Sequence, residues 1–187
     1  MHIDQEFEVN RPAAQVWAFF QDVDEVAKCL PGATLAGVGD DGRYRGSVQV
    51  ALGPMELTFE GKASVTVDDG ARTGTIEGSG ADRRGGSRGK VTVAYAVHEV
   101  EVGTRVALGA DLTLSGQAAQ FGRAGLIKEI SGRIVEEFVA CLEAKLGAPT
   151  VEEAAGVQAE VIEGGSLVVG TLWSMLVDFL RRLFGRS

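Results

Sequence analysis

Two short strings bring this chain nearest to known chemistry: GVGDDG at 37–42 and GGSRG at 85–89. The first has the GxGxxG spacing of a dinucleotide cradle, which works only where a helix N-terminus follows the glycines and receives the pyrophosphate. Here a strand pattern, RYRGSVQV, follows, and Asp40 and Asp41 would repel phosphate, so the string reads as a hairpin turn. The second has the GxSxG spacing, whose serine needs a strained strand-to-helix elbow and His and acid partners. Ser87 is followed instead by the strand-like KVTVAYAV. The two histidines, His2 and His98, sit at the terminus and on the polar phase of a strand, so an imidazole base is poorly supplied. Neither they nor Cys29 and Cys141 show metal-ligand spacing, so no catalytic and no metal residue is expected. A cavity enzyme would have to use Glu129, Tyr44 or Asp111 as acid or base, and these form no visible converging pair.

Charge and cysteine usage narrow the class. The 187 residues carry a formal net charge of -8, against nucleic-acid binding, which needs clustered Lys and Arg. The two cysteines lie in apolar helical contexts without a CxxC pair or disulfide framework, which points to a reducing cytosol. MHIDQEFEVN has neither a basic start nor an apolar run, so no secretory leader is expected.

The elements that would position any site follow from periodicity. HIDQEFEV alternates as a strand with one buried face; PAAQVWAFFQ and DVDEVAKCL read as two short helices, the first opened by Pro12 and the second capped by Asp22. From residue 33 to about 115 strands alternate with turn signals at 39–42, 52–54, 68–70, 78–89 and 101–103. In MELTFEGKASVTV the residues Met55, Leu57, Phe59, Ala63, Val65 and Val67 share one face, the period-two mark of a half-buried antiparallel strand. After Gly116 the period becomes helical, with Ile127, Ile130, Ile134, Phe138 and Cys141 three and four apart, until Gly147 and Pro149. The expected class is α+β: one strand, two small helices, six strands and a long helix.

Glycines suggest that this interior is not tightly filled. Gly122, Gly125 and Gly132 form one stripe of the long helix, although glycine there is less favourable than alanine by roughly 1 kcal/mol. Gly46 and Gly61 fall on the apolar phase of the sheet. Two explanations stand: room for a ligand, or close approach of backbone that lets the sheet curl. On the first, the expected lining is Tyr44, Val48, Val50, Met55, Leu57, Phe59, Leu112, Phe121, Gly122, Gly125, Glu129 and Gly132. A protonated Glu129 carboxyl would there bind a ligand carbonyl or hydroxyl, unless that edge of the stripe is solvated.

The C-terminus differs from everything before it. Residues 1–146 form the expected ligand-binding domain, 147–165 an acidic tether in which Thr150 and Glu153 could cap a short helix, and 166–187 a separate amphipathic helix. In that helix Gly170, Ser174, Asp178, Arg181 and Arg182 form a narrow polar stripe, while Leu172, Trp173, Met175, Leu176, Val177, Phe179, Leu180, Leu183 and Phe184 cover the rest. The uncharged run 164–177 is shorter than the roughly 20 residues a span needs, and Asp178 would lie in hydrocarbon. An interfacial anchor fits, with Leu172, Trp173, Leu176, Phe179, Leu180, Leu183 and Phe184 in lipid and Arg181 and Arg182 at headgroups. A partner's groove and packing on its own domain are the other two possibilities.

Four stretches in this order carry a resemblance: AQVWAFFQDVDEVAKCLPGA (14–33), LGPMELTFEGKASV (52–65), GTRVALGADLTLSG (103–116) and the helix after it. Together the chain resembles the carbon monoxide dehydrogenase G-subunit family, within the START-related superfamily of birch-pollen-allergen-like and polyketide-cyclase-like helix-grip proteins. The resemblance implies a helix-grip fold: a curved antiparallel sheet of about seven strands round a long C-terminal helix, with an apolar cavity between. It also implies an accessory protein associated with molybdenum-hydroxylase-type redox enzymes and membranes; the expected role is non-catalytic and the expected place cytoplasmic, on the inner face of the cell membrane. GSGADRRGGSRGK departs from the family pattern through Arg83, Arg84 and Arg88. Combined with the tail, this gives an expected adaptor that binds a hydrophobic membrane molecule, first an isoprenoid quinone, and no covalent cofactor. The alternatives are a maturation chaperone for such an enzyme and a cyclase or dehydratase using the same cavity.

Overall fold

The computed structural model describes residues 1–52, 55–82, 84–121, 124–148 and 151–159. Strand β1 (His2–Val9) is followed by α1 (Ala13–Gln21) and α2 (Val23–Cys29). Six strands follow: β2 (Ala33–Val38), β3 (Tyr44–Leu52), β4 (Met55–Asp68), β5 (Thr73–Asp82), β6 (Ser87–Glu99) and β7 (Thr104–Ser115). A 3-10 turn (Gly116–Phe121) leads into α3 (Ala124–Gly147), and α4 (Val151–Gly156) comes after it. The α+β class expected from the pattern is the one observed, with a seven-stranded antiparallel sheet in the order β1-β7-β6-β5-β4-β3-β2. The first strand closes onto the last, with Val9 opposite Thr104 and Ile3 opposite Ala110.

Local chemistry explains the element boundaries. Asp22 caps α2 by accepting a hydrogen bond from the Glu25 backbone N–H at 3.1 Å, and Asp24, Glu25 and Lys28 place charge to suit the helix dipole. The Trp17 indole N–H donates to Asp69 at 3.0 Å and the Gln21 amide donates to the same carboxylate at 2.6 Å, which fixes α1 to the β4–β5 turn. One aromatic-rich core then forms where α1, α2 and the C-terminal half of α3 meet the sheet. Phe20 stacks on Tyr95 at 5.0 Å and sits 5.8 Å from Phe138, with Val9, Val16, Val97, Val106 and Leu142 around them.

Cys29 and Cys141 are not free, as the sequence reading expects, but joined in a disulfide across 112 residues, their Cα atoms 5.4 Å apart. Only packing of α2 on α3 brings them together, so spacing along the chain carries no sign of it. One helical turn away Lys145 donates to Glu25 at 2.6 Å and to the Ala154 carbonyl at 2.9 Å, its side chain almost wholly buried. Glu25 also accepts from Lys28 at 2.5 Å. Its carboxyl is held below the usual carboxylate range, first by Lys145 and then by Lys28. The first part of the expected tether is therefore an ordered extension of the domain: Val157 and Ala159 pack on the core, and the Ala159 N–H donates to the Lys28 carbonyl at 3.0 Å. Thr150, the expected cap, lies outside the described residues.

A row of glycines crosses the sheet, Gly46 opposite Gly61, Gly61 opposite Gly80 and Gly80 opposite Gly89. A Cβ at Gly46 would lie 2.4 Å from the Thr34 carbonyl oxygen, and one at Gly61 only 2.0 Å from that of Ser79. For these two, close backbone approach is the explanation, and they create no room for a ligand. Gly61→Ala is expected to destabilise the fold by about 1–3 kcal/mol, read as a lower urea midpoint, because backbone cannot move aside as a side chain can.

Candidate functional site

Strand register assembles the candidate site. Val48 lies opposite Phe59, Val50 opposite Leu57 and Tyr44 opposite Ala63, so these residues share the apolar phase of β3 and β4. Leu112, opposite Val91 on β6, continues that phase onto β7. Leu57, 3% exposed, centres a second small core with Ala118, and Val50, Phe59, Leu114 and Ile130 pack against it. The Ser87 Oγ accepts a hydrogen bond from the Ala118 N–H at 3.0 Å and is fully buried, a structural role that leaves no nucleophile. Asp82 accepts from the Gly85 N–H at 2.6 Å and from the Arg84 N–H at 3.4 Å, closing the β5–β6 turn beside it.

Between the two cores the apolar phase of the sheet is only half covered. Ala63, Val65, Val91, Val93, Ala110 and Leu112 are half-buried, and Val48 is 42% exposed. On α3 a Cβ at Gly125 or Gly132 would meet nothing within 4 Å. Both lie on the side of the helix away from the buried Ile127, Phe138 and Lys145, and Gly125 is exposed, so the expected lining loses these two. Unlike Gly46 and Gly61, these two helix glycines border open space. What the arrangement can do is offer an unfilled apolar surface to a guest without charged groups.

Of the expected lining, the structure brings Val50, Leu57 and Phe59 together and places Tyr44, Val48 and Leu112 on the same face. Met55 falls on β4 in the same phase, while the Phe121 side chain and Gly122 lie outside what is described. Glu129 is exposed and accepts from Arg133 at 2.9 Å, so the stripe's edge there is solvated. Asp111, a candidate acid of the enzyme alternative, belongs to the opposite, solvent-facing phase. There it and Asp4 bond the two ring nitrogens of His2, at 3.0 and 2.9 Å, and together raise the imidazole's pKa. Leu114, Ala118 and Ile130 are the members the sequence reading leaves out of the site. Phase marks Leu114 and Ile130 as inward, but nothing in the sequence marks Ala118, which is buried only because Ser87 holds its turn.

An open depression of about 980 Å³ runs across β1, β7, β6, β5 and β4. Its lining takes residues of both phases, Gln5, Val67, Gly74, Tyr95 and Leu108 of the apolar one among them, together with Lys128 of α3. Among the described residues no group of His, Cys, Asp and Glu is placed to hold a metal. No helix among them is long and apolar enough to cross a membrane. The expected anchor residues Leu172, Trp173, Leu176, Phe179, Leu180, Arg181, Arg182, Leu183 and Phe184 lie outside the described residues.

The model of the family described as the G subunit of carbon monoxide dehydrogenase (CoxG) matches residues 6–147, from β1 to the end of α3. The chain belongs to the CoxG family. No curated protein sequence matches the chain. Solved structures show that this family member has the helix-grip fold. A conserved protein from Geobacillus kaustophilus aligns with a TM-score of 0.64 at 15% identity, covering 76% of this chain and 95% of that one. A START superfamily protein from Mycobacterium smegmatis aligns at 0.52 and 12% identity, covering 80% and 99%. The Zhui aromatase/cyclase of a Streptomyces species aligns at 0.52 and 15% identity, covering 78% and 95%. At such identities the likeness shows the fold alone.

Open space beside the helix sets an expectation opposite in sign to that for Gly61. Gly132→Ala should raise stability by about 0.5–1 kcal/mol in thermal or urea unfolding, since the helix gains propensity and nothing must move.

Proposed function

We propose that this CoxG family member is a non-catalytic accessory protein that takes a hydrophobic membrane molecule onto its half-covered apolar face and brings a redox enzyme to the membrane. The observation that carries this reading is the uncovered surface itself: Val91, Val93 and Leu112 remain half-buried and Val48 exposed on the apolar phase of the sheet. Burying such surface is worth roughly 25 cal/mol per Å², and a guest brought there would have to be apolar. An isoprenoid quinone is the proposed guest, because a long apolar chain fits a surface without ion pairs and the family's name points to redox chemistry. The partner proposed from that name is carbon monoxide dehydrogenase or a related molybdenum-hydroxylase-type enzyme. The proposed place is the inner face of the cell membrane, reached through residues 166–187.

The tail's sequence supports anchoring by oil more than by charge. Its nine large apolar residues, half buried, would contribute on the order of 10 kcal/mol before ordering costs. Its three arginines add about 1 kcal/mol each at an anionic surface. Flotation with anionic liposomes should therefore recover the full chain even in high salt and lose it on deletion of 166–187; retention of the truncated chain refutes the anchor. Solvent extraction of protein gently isolated from its own host should yield quinone by mass spectrometry. Ala110→Leu, which adds bulk to the half-covered face, should lower that yield several-fold, and extracts free of quinone in the native protein refute the guest.

A further inference from the structure

Two rungs join α2 to α3. Glu25 and Cys29 are one turn apart on α2, Cys141 and Lys145 one turn apart on α3, and they pair as 25 with 145 and 29 with 141. The covalent rung is almost inaccessible, with Cys29 at 0% and Cys141 at 5% exposure. Over this junction runs the segment from α4 to Ala159. It is fastened at one end by the Lys145 ammonium on the Ala154 carbonyl and at the other by the Ala159 N–H on the carbonyl of Lys28, the neighbour of Cys29. Between those ties Val157, and at the end Ala159, pack on the apolar cluster that contains both cysteines.

We propose that residues 151–159 are a strap that shields the Cys29–Cys141 disulfide from thiol reductants, so that release of the strap decides when the bond can be reduced and α2 freed from α3. Thiol–disulfide exchange needs a thiolate to reach a sulfur in line with the S–S bond, which burial prevents. With the strap lifted, a thiolate of glutathione or of a dithiol attacks the more accessible Cys141 sulfur, forming a mixed disulfide and releasing the Cys29 thiolate. A second reductant thiol resolves the mixed disulfide; the reductant leaves as its own disulfide, and both cysteines take up a proton. The proposal holds whatever the apolar face binds. The strap also leads straight into 160–187, so whatever engages those residues acts on it directly.

The test uses the full chain, oxidised, in detergent micelles, with dithiothreitol as reductant and thiol release followed by a chromogenic reagent. Ala159→Pro deletes the N–H that bonds Lys28, and Lys145→Met deletes the other tie; both should speed reduction by about tenfold or more. Amide exchange in α2 should rise once the native bond is reduced. Equal rates in native protein and Ala159→Pro overturn the strap, whether or not Lys145→Met folds. So do free thiols in air-oxidised native protein. Unchanged exchange in α2 after reduction overturns the switch.

Discussion

α3 is fastened at one end. Phe138, Cys141, Leu142 and Lys145 hold its last turns by ring contacts, a disulfide, close packing and a buried ion pair. Toward its start, Ile127 is buried and Ile130 meets the small core of Leu57 and Ala118, while Gly125 and Gly132 lie on the side away from the sheet. A long helix gripped firmly at one end leaves the middle of the apolar sheet half covered. The unfilled surface, the proposed guest and the clasp between α2 and α3 all depend on that asymmetry.

The sheet supplies the other half of the arrangement. Its glycine row lets neighbouring backbones approach more closely than side chains allow, as the contacts at Gly46 and Gly61 show. Strong curvature is the physical use of such positions in long antiparallel strands. The glycines of this chain thus differ: Gly46 and Gly61 in the sheet bring backbone together, and Gly125 and Gly132 lie on the outer side of the long helix. Both look alike in sequence, since a glycine on an apolar phase does not reveal what its missing side chain would have met.

Charged groups tell a consistent story about chemistry. His2, Asp4 and Asp111 cluster on the solvent-facing side of the sheet, and Glu129 pairs with Arg133 in solvent. None of them reaches the apolar phase that Leu57 and Phe59 share. The buried ionic group that matters is the pair of Lys145 with Glu25, and its work is structural. It closes the helix junction and anchors the segment that follows.

Periodicity alone was enough for most of the elements, although the stretch 78–89, expected as a turn, is strand up to Asp82 and again from Ser87. Alternation over Met55–Val67 and the three-and-four spacing from Ile127 to Cys141 each follow from a repeat of a few residues, and local backbone geometry obeys that repeat wherever the segment ends up. The apolar phase of the candidate site was legible for the same reason, through Val50, Leu57 and Phe59. Long-range meetings were not. Cys29 with Cys141, Lys145 with Glu25, Ala159 with Lys28 and Ala118 with Ser87 join residues from different elements, and no local repeat encodes which of them will touch. Tertiary packing alone decided them, because each contact exists only after the helices have taken their places on the curved sheet.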